Sequence, residues 1–359
     1  MLAQDGGACV LAEHRADTVA RLANAVLVLG PDGAPVAAGA TATALFDIAG
    51  RPGHVGIRLP AAVTAGVALQ RAGLLDRGWR GIDPDSLLRA LGSRADEPRV
   101  VPTLVAALGL DRVMAARAAP GPPLLRFEAA SLRRNGRIIL AGIDLEIGGG
   151  EVLGLVGENG AGKTSLALLT AGALRARTGG VWRARGSSPA FVPQNPSLAL
   201  AAGTLAAEAA RRGLPWADAA AALAARGILP DPQRSPLAFS HGERRRIVLA
   251  LAVADPAPRL VILDEPGSGL DATGLSALAD DIATLKRRGC GLLVIAHDLD
   301  WLAGISDRIA ALAGGRIVAA GPSAGILGRA LAGDLPVRPS DGSRLAHGLG
   351  WMPDGAAPC

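Results

Sequence analysis

One short segment, GENGAGKTS at residues 157–165, combines glycines with a lysine and a hydroxyl side chain in a fixed spacing. It follows the apolar run VLGLV and opens a stretch typical of a helix, which is the context that a phosphate-binding loop requires. The glycines allow the backbone to turn tightly, so that several N–H groups can point at one phosphate. Lys163 would then bridge the outer phosphates, and the Thr164 hydroxyl would ligate Mg²⁺.

The helix that begins in this segment adds about half a positive charge at its N-terminus. We therefore predict a phosphate site, and the alternative is a glycine-rich turn that binds no ligand. The predicted phosphate-binding residues are Gly157, Glu158, Asn159, Gly160, Ala161, Gly162, Lys163, Thr164 and Ser165.

A second candidate feature is LVILDEP at residues 260–266, in which four apolar residues precede Asp264 and Glu265. Short continuous apolar runs are typical of strands buried on both faces, so the two carboxylates should lie at the end of a buried strand. Adjacent carboxylates are unfavourable there unless a cation is present. We predict that Asp264 holds Mg²⁺ and that Glu265 polarises an attacking water. The alternative is a solvated acidic loop.

The segments between these motifs alternate between short apolar runs and longer helical stretches. The apolar runs are VLGLV, FV before Pro193, LVIL before Asp264, LLVIA before His297 and IAAL after Arg308. Helical stretches such as TSLALLTAGAL and ERRRIVLALAVA lie between them. This alternation predicts an α/β domain with a central, mostly parallel sheet. The earlier segments LLRFEAASL and IILAGIDLEI have the alternation of strands.

The composition excludes several classes of protein. The sequence contains no uncharged run of about 18 apolar residues, which is the length that a membrane-spanning helix needs. The three cysteines are scattered, which excludes a disulfide framework and a zinc cluster. The net charge is +5, but all 37 basic residues except Lys163 and Lys286 are arginines, which favours a codon bias over nucleic-acid binding. A lysine retained in the phosphate loop of such a chain supports a role for its compact charge.

Four further motifs occur in a fixed order after the phosphate loop. They are PQNP with Gln194, FSHGERRR from Phe239, SGLD ending in Asp271, and His297 one strand beyond the acidic pair. With these motifs, residues 124–330 resemble the ATP-binding cassette (ABC) ATPases. The resemblance implies a Q-loop glutamine, a signature segment, a D-loop aspartate and a switch histidine at these positions.

The resemblance also implies the P-loop NTPase fold, with a mostly parallel central sheet, an antiparallel β subdomain and a helical subdomain. Two such cassettes form a head-to-tail dimer around two ATP molecules, so Ser240 and Gly242 of one cassette would face Lys163 of the other. ATP and Mg²⁺ are the implied cofactors. The implied catalytic residues are Glu265, His297 and Gln194, and the implied metal ligands are Thr164, Gln194 and Asp264. The D-loop residue Asp271 would also lie near the nucleotide.

The function implied by the resemblance is hydrolysis of ATP to drive a membrane importer. The implied partners are a transmembrane subunit and a second cassette, at the cytoplasmic face of the membrane, and no nucleic acid is expected. An S-H-G-E signature and an H-D-L-D switch segment are similar to those of energy-coupling-factor importers of vitamins, cobalt and nickel. The cargo therefore stays open between a metal ion and a thiamine-type vitamin. The alternatives are a soluble cassette protein acting on ribosomes or DNA, and a non-catalytic remnant.

Two positions depart from the family pattern. His241 replaces a glycine of the signature, which adds bulk and a titratable ring near the phosphate. The aromatic residue that usually stacks on adenine has no counterpart in SLRRNGRIIL, where Arg133 or Arg134 lies near the expected place. An arginine plane could stack on the base, and weak base selectivity is the alternative.

An internal repeat relates the start of the chain to the end of the cassette. Aligning His14 with His297 also aligns Leu29 with Leu312, and with one inserted residue the two VAAG strings coincide. We therefore expect residues 1–60 to be the end of a first cassette in a tandem protein truncated at its N-terminus. An unrelated small domain is the alternative. The other predicted parts are a connecting segment and linker over 61–123, a complete cassette over 124–330 and a loose tail over 331–359.

Overall fold

The computed structural model describes residues 8–13, 16–20, 22–30, 32–51, 57, 59–114, 119–187, 189–256, 259–270 and 272–353. The chain divides into two compact units. The first comprises Met1–Asp111, Asp271–Gly274 and Ser340–Met352, and the second comprises Arg112–Leu270, Leu275–Pro339 and Pro353–Cys359. In the described part of the chain, no helix is long and apolar enough to cross a bilayer.

The strands are β1 Ala25–Leu29, β2 Pro35–Ala40, β3 Pro123–Arg134, β4 Arg137–Gly148, β5 Val152–Gly157, β6 Thr178–Arg183, β7 Pro189–Val192, β8 Leu260–Asp264, β9 Gly291–Ile295, β10 Arg308–Ala313 and β11 Arg316–Pro322. The α-helices are α1 Ala16–Val19, α2 Thr41–Ala49, α3 Ala61–Arg71, α4 Pro84–Leu91, α5 Val100–Leu108, α6 Lys163–Thr170, α7 Leu205–Arg211, α8 Trp216–Ala224, α9 His241–Ala254, α10 Ala272–Arg287, α11 Leu299–Ile305, α12 Ser323–Leu331 and α13 Asp341–Gly348. Short 3₁₀ helices lie at Gly92–Asp96, Leu110–Met114, Pro196–Ala199 and Pro236–Ala238.

A six-stranded sheet forms the centre of the second unit, in the order β11-β10-β5-β9-β8-β7. All neighbours pair in parallel except β10 and β11, which form an antiparallel hairpin. Every residue of β8 and β9 is buried, because both faces of these strands are covered. The five apolar runs are thus strands of one mostly parallel sheet, and the predicted α/β fold is confirmed. Parallel pairing places the carboxyl ends of β5, β8 and β9 side by side.

A second sheet in this unit is antiparallel, in the order β4-β3-β6. Its inward side chains share one apolar core with the central sheet, and this core includes Phe127 and Ile147 together with Leu155 and Ile262. Helices α7 and α8 and the start of α9 follow β7, which is an edge strand of the central sheet. The antiparallel and helical parts expected of a P-loop NTPase of this kind are therefore present.

The first unit has a helical core of its own, which the sequence analysis did not foresee. Helices α3, α4, α5 and α13 pack around a cluster that includes Leu69, Leu87 and Leu104, each fully buried. The expectation of a mere connecting segment over 61–123 therefore differs from the structure. The expectation of a loose tail over 331–359 is also wrong for Asp341–Gly348, because Leu345 belongs to the same core.

The hairpin of β1 and β2, followed by α2, has the same construction as β10, β11 and α12. Both hairpins are antiparallel, with a register shift at aligned positions, and a helix begins directly after the second strand. The Thr41 hydroxyl donates to the Ala23 carbonyl at 2.6 Å, and the Ser323 hydroxyl donates to the Ser306 carbonyl at the same distance. The Thr41 N–H group donates to the carbonyl of Asn24, which follows Ala23, and the Ser323 N–H group donates to the carbonyl of Asp307, which follows Ser306. Both distances are 3.2 Å. The repeat seen in the sequence is thus also a repeat of hydrogen bonds.

These matched hydroxyls give a prediction about local stability. Thr41→Val and Ser323→Ala each leave a carbonyl without its hydroxyl partner, which costs about 1 kcal/mol for a buried acceptor. We expect amide exchange to accelerate by about fivefold in the hairpin that each residue closes, and only there. Hydrogen exchange read by mass spectrometry measures this effect. Thr43→Val, at an exposed position of α2, serves as the control and should change neither hairpin. Equal exchange in the variants and the control would show that the hydroxyls do not secure the hairpins.

Candidate nucleotide-binding site

The predicted phosphate loop connects the central strand β5 to helix α6. Its first glycine, Gly157, lies so close to β10 that a Cβ atom there would come within 2.3 Å of the Leu312 carbonyl oxygen. Its last glycine, Gly162, has a φ of 106° and immediately precedes α6. A Cβ atom at Gly162 would come within 2.9 Å of the Leu140 side chain in β4, so a larger residue at either glycine would displace the loop. The loop therefore presents backbone N–H groups and the start of α6 at one point, as an anion site requires.

Lys163 is largely buried and folds back over the loop. Its ammonium donates to the carbonyl oxygens of Gly157 at 2.8 Å and of Glu158 at 3.0 Å. Burial lowers the pKa of Lys163, while the nearby carboxylates of Glu265 and Asp264 act in the opposite direction. The loop carbonyls thus hold a positive charge beside the acidic pair, within a buried environment where charges interact strongly.

Thr164 and Asp264 meet although they are 100 residues apart in sequence. The Thr164 hydroxyl donates to the Asp264 carboxylate, with 2.9 Å between Oγ1 and Oδ2. Burial raises the pKa of Asp264, and the hydrogen bond from Thr164 and the charge of Lys163 oppose that rise. A hydroxyl and a buried carboxylate in contact are oxygen donors suited to Mg²⁺, which takes few protein ligands and completes its shell with water and phosphate. These two residues therefore fit the predicted metal site.

Glu265 lies at the turn that follows β8, with a left-handed backbone φ of 53°. Burial raises the pKa of Glu265 to about 7, the adjacent Asp264 adds to this rise, and Lys163 opposes it. The Oε1 atom of Glu265 is buried and lacks a hydrogen-bond partner among the described residues, although the His297 Nε2 atom lies 3.1 Å away. A buried carboxylate oxygen that protein groups leave unsatisfied is suited to accept a proton from a bound water.

His297 follows the fully buried strand β9, so the neighbouring strands bring it beside the acidic pair. Its side chain is about half exposed, at 55%. Partial burial and the positive charge of Lys163 lower the pKa of His297, which favours the neutral ring. A neutral imidazole can both donate and accept, so His297 can bind a phosphate oxygen or a water on this side of the site.

The other predicted residues lie in three places. Gln194 is exposed in the loop after β7. Ser240 and Gly242 are exposed at the start of α9, where Ser240 and Glu243 form a reciprocal capping box. Asp271 lies outside the described residues. The structure thus brings the phosphate loop, Asp264, Glu265 and His297 together, whereas the signature residues are exposed to solvent. The remaining loop residues, Glu158, Asn159, Gly160, Ala161 and Ser165, lie between β5 and the first turn of α6.

One residue near the site was missed by the sequence analysis. Arg245 is the second of three consecutive arginines in FSHGERRR, and only 5% of its surface is exposed. Its Nη2 atom donates to the main-chain carbonyl of Gln194 at 3.2 Å. Nothing in a run of arginines indicates which one is buried, because a helix position faces the interior only through its tertiary contacts.

These features define a phosphate-binding-loop ATPase with an acidic pair at the carboxyl end of another strand of the same sheet. Comparison with known proteins assigns the family: the model described as "ABC transporter" matches residues 140–268. The zinc import ATP-binding protein ZnuC of Halorhodospira halophila is 36% identical over 220 residues, which cover 60% of this chain and 83% of that protein. The same protein of Ruegeria pomeroyi is 36% identical over 198 residues, which cover 54% of this chain and 76% of that protein.

Among solved structures, an ATP-binding subunit of an ABC transporter is similar in fold, with a TM-score of 0.51 and 23% identity. That similarity covers 64% of this chain and all of the solved one. The chain belongs to the ABC transporter family as an ATP-binding cassette protein, and it is an ATP hydrolase. The energy-coupling-factor type is a finer assignment that these comparisons do not make.

The contact between Thr164 and Asp264 gives a prediction about the role of Mg²⁺ in binding. Thr164→Val removes one metal-ligating oxygen and keeps the shape of the side chain. The factor by which Mg²⁺ strengthens ATP binding should therefore be about tenfold smaller than in the wild type. Titration with a fluorescent ATP analogue, with Mg²⁺ and with EDTA, measures this difference. Thr170→Val is the matched control, since that hydroxyl donates to the Leu166 carbonyl within α6. An unchanged Mg²⁺ effect in Thr164→Val would exclude this hydroxyl as a ligand.

Proposed function

We propose that this chain is the ATP-binding subunit of an ABC importer, and that it works in a head-to-tail dimer of cassettes. The observation that supports this most strongly is the cluster of Lys163, Thr164, Asp264 and Glu265 beside the phosphate loop. Transfer of a phosphoryl group to water needs charge stabilisation and a positioned water more than covalent chemistry. This cluster offers both, in a site with donors for the phosphates and an acceptor for the water.

In this proposal each residue has one task. The N–H groups of the loop and Lys163 bind the β- and γ-phosphates. Thr164, Asp264 and, through its exposed side chain, Gln194 hold Mg²⁺, which neutralises charge on the phosphate oxygens when bound. Glu265 orients the attacking water and draws its proton towards the unsatisfied Oε1 atom.

His297 would steady the γ-phosphate from the side of β9. The Nε2 and Oε1 atoms lie 3.1 Å apart, which supports a shared task with Glu265, because a water beside this pair could contact both atoms. With the imidazole neutral, His297 can donate one hydrogen bond to a phosphate oxygen without adding charge.

The second cassette would complete the site with its signature segment. Ser240, His241 and Gly242 are exposed at the N-terminus of the 14-residue helix α9, which is available to a phosphate on another subunit. Asp271 would contribute beside them. His241 would then lie nearest to the partner's ATP in place of the usual glycine. The proposed partner is either a second copy of this chain or a different cassette.

The membrane partner would contact the helical part of the cassette. Three large apolar residues are exposed there, Leu198 at 77%, Leu229 at 75% and Leu237 at 55%. We propose that these exposed apolar side chains take part in a protein interface. A transmembrane subunit that presents an apolar segment at the cytoplasmic face fits this surface, and it would hold the chain peripherally at the membrane.

For the cargo we propose a divalent metal ion. The two relatives described above import zinc, and each aligns over most of its length. Uptake of radioactive Zn²⁺, Co²⁺ and Ni²⁺ by cells that produce the chain with its genomic neighbours tests this assignment. We expect uptake of at least one of these ions to require the chain. Uptake of a thiamine-type vitamin instead would contradict a metal cargo and favour the energy-coupling-factor type.

We also propose that the hairpin and helix of Ala25–Ala49 correspond to the end of another ABC cassette. The aligned hydrogen bonds of Thr41 and Ser323 support this equivalence. The exposed residues of β1 support it as well: Leu27 and Leu29 are 60% and 51% exposed, whereas the aligned Ala310 and Leu312 are fully buried. His14, the proposed switch histidine of that cassette, lies outside the described residues.

Replacement of Glu265 tests the hydrolytic mechanism. Glu265→Gln keeps the shape of the side chain and removes its ability to take a proton, so hydrolysis should fall by about 100-fold or more. ATP binding should persist, because the phosphate-binding groups are unchanged. Phosphate release and binding of a fluorescent ATP analogue, measured on the same samples, separate the two effects. Glu146→Gln, at an exposed ion pair with Arg126, is the control. Full hydrolysis by Glu265→Gln would exclude Glu265 as the group that activates water.

A further inference from the structure

The loop that carries Gln194 is bound to the signature helix α9 through two consecutive arginines. The Arg245 Nη2 atom donates to the Gln194 carbonyl at 3.2 Å, and the Arg244 Nη1 atom donates to the Ser197 hydroxyl at 2.6 Å. Arg244 also donates through Nε to the Phe239 carbonyl at 2.8 Å, just before the signature serine. The segment Gln194–Ser197 is therefore attached to both the beginning and the first turns of α9.

From this arrangement we infer that Arg245, assisted by Arg244, is a positioning residue that sets the place of Gln194 relative to the signature segment. The inference rests on the proposed function, in which Gln194 contacts the metal and the water. A main-chain hydrogen bond fixes the Gln194 backbone without engaging its side chain. The Gln194 side chain thus stays available for the nucleotide, while the Gln194 backbone is hydrogen-bonded to a residue of α9.

Burial makes Arg245 well suited to this task. A guanidinium that is 95% shielded from water is unfavourable unless its charge and donors are used. The Gln194 carbonyl takes one of its five donors, and the carboxylate of Glu265 provides a favourable electrostatic partner. Arg245 therefore interacts with both groups that the proposed mechanism places around the attacking water, through a hydrogen bond to Gln194 and through charge with Glu265. A neutral side chain of similar length would lose both the charge and the rigid fork of donors.

The far end of the same loop is held by a second buried cluster. Glu208 is fully buried and accepts the N–H groups of Ala201 and Ala202 at 3.1 and 3.0 Å. Arg211 and Arg212 pair with Glu208 and both donate to the Ala199 carbonyl at 3.2 Å.

The segment 194–202 is therefore bound to α9 at one end and to α7 at the other. Between the two attachments lies the exposed Leu198. A displacement of this segment by a partner at Leu198 would move Gln194 and the signature helix together, because hydrogen bonds from α9 hold the segment at Gln194 and at Ser197.

The test uses the full chain and three single variants. Arg245→Gln removes the charge and the fork, Arg245→Lys keeps the charge with a different geometry, and Arg244→Gln removes the second attachment. Arg246→Gln is the matched control, since Arg246 is the third arginine of the run, is exposed and donates to the Arg226 carbonyl. Exchange of amide hydrogens is first measured without nucleotide, in peptides that cover residues 193–202 and the phosphate loop.

We expect Arg245→Gln to accelerate exchange in residues 193–199 by about tenfold, which is the loss of one charged hydrogen bond. Arg244→Gln should have a smaller effect in the same peptides, and Arg245→Lys should restore part of the protection. Exchange in the phosphate loop and in β5 should stay as in the wild type, which shows that the variant is folded. Equal protection of residues 193–199 in Arg245→Gln and Arg246→Gln would overturn the inference.

Steady-state hydrolysis then separates positioning from simple support of the fold. In Arg245→Gln we expect kcat to fall by about tenfold while the Kd for ATP changes by less than about twofold, because the phosphate contacts are intact. The loss should nearly vanish when Gln194 is already alanine, since Arg245 acts through Gln194. Additive losses in Arg245→Gln with Gln194→Ala would contradict this role. A wild-type chain that neither binds nor hydrolyses MgATP would refute the proposed function, whereas the exchange experiment judges the attachment independently.

Discussion

The burial of two adjacent carboxylates at the end of β8 is the constraint on which the rest of the cassette depends. Burial raises the pKa of both Asp264 and Glu265, and the charge of Asp264 adds to the rise at Glu265, so this environment resists their ionisation. Lys163 supplies the compensating charge, but only because the parallel order of β5, β9 and β8 brings its loop to the same edge of the sheet. Close packing of Gly157 on β10 and the left-handed turn at Gly162 serve the same end, because they place the loop over the strand ends.

Much of this arrangement could be predicted from the sequence, because its signals are local. Five apolar runs predicted five of the six strands of the central sheet, and the glycine spacing predicted the loop that ends in Lys163 and Thr164. The contact between Thr164 and Asp264 could be expected only once both motifs were assigned to the carboxyl ends of parallel strands in one sheet. The position of His297 after β9 followed from the same reasoning. Each of these residues lies at or shortly after the carboxyl end of a strand, or at the start of the helix that follows it, so the order of the sheet decides which residues meet.

The remainder depends on contacts between distant segments, which no local pattern indicates. Arg245 and Arg246 are adjacent in a polar run, yet one is buried against the Gln194 loop and the other is exposed. Glu208 lies in an alanine-rich stretch, and its burial follows from the loop that folds over it. The helical core of the first unit was missed because glycines and prolines separate its helices. The pairs Leu87 and Leu91, and Val100 and Leu104, have the spacing of buried helix faces, but their partner Leu345 is more than 240 residues further along the chain.

The scarcity of lysine has a practical consequence for chemical labelling. Apart from its amino terminus, the chain has only two primary amines, at Lys163 and Lys286. Lys286 is ion-paired with the buried Asp307, whereas the pKa of Lys163 is lowered by burial, so a larger fraction of its amine is unprotonated and nucleophilic. Once the α-amino group has been blocked, a small acylating reagent therefore reports chiefly on the nucleotide site, since a bound phosphate would cover the Lys163 amine. The state of one side chain becomes visible in the intact mass of the whole protein.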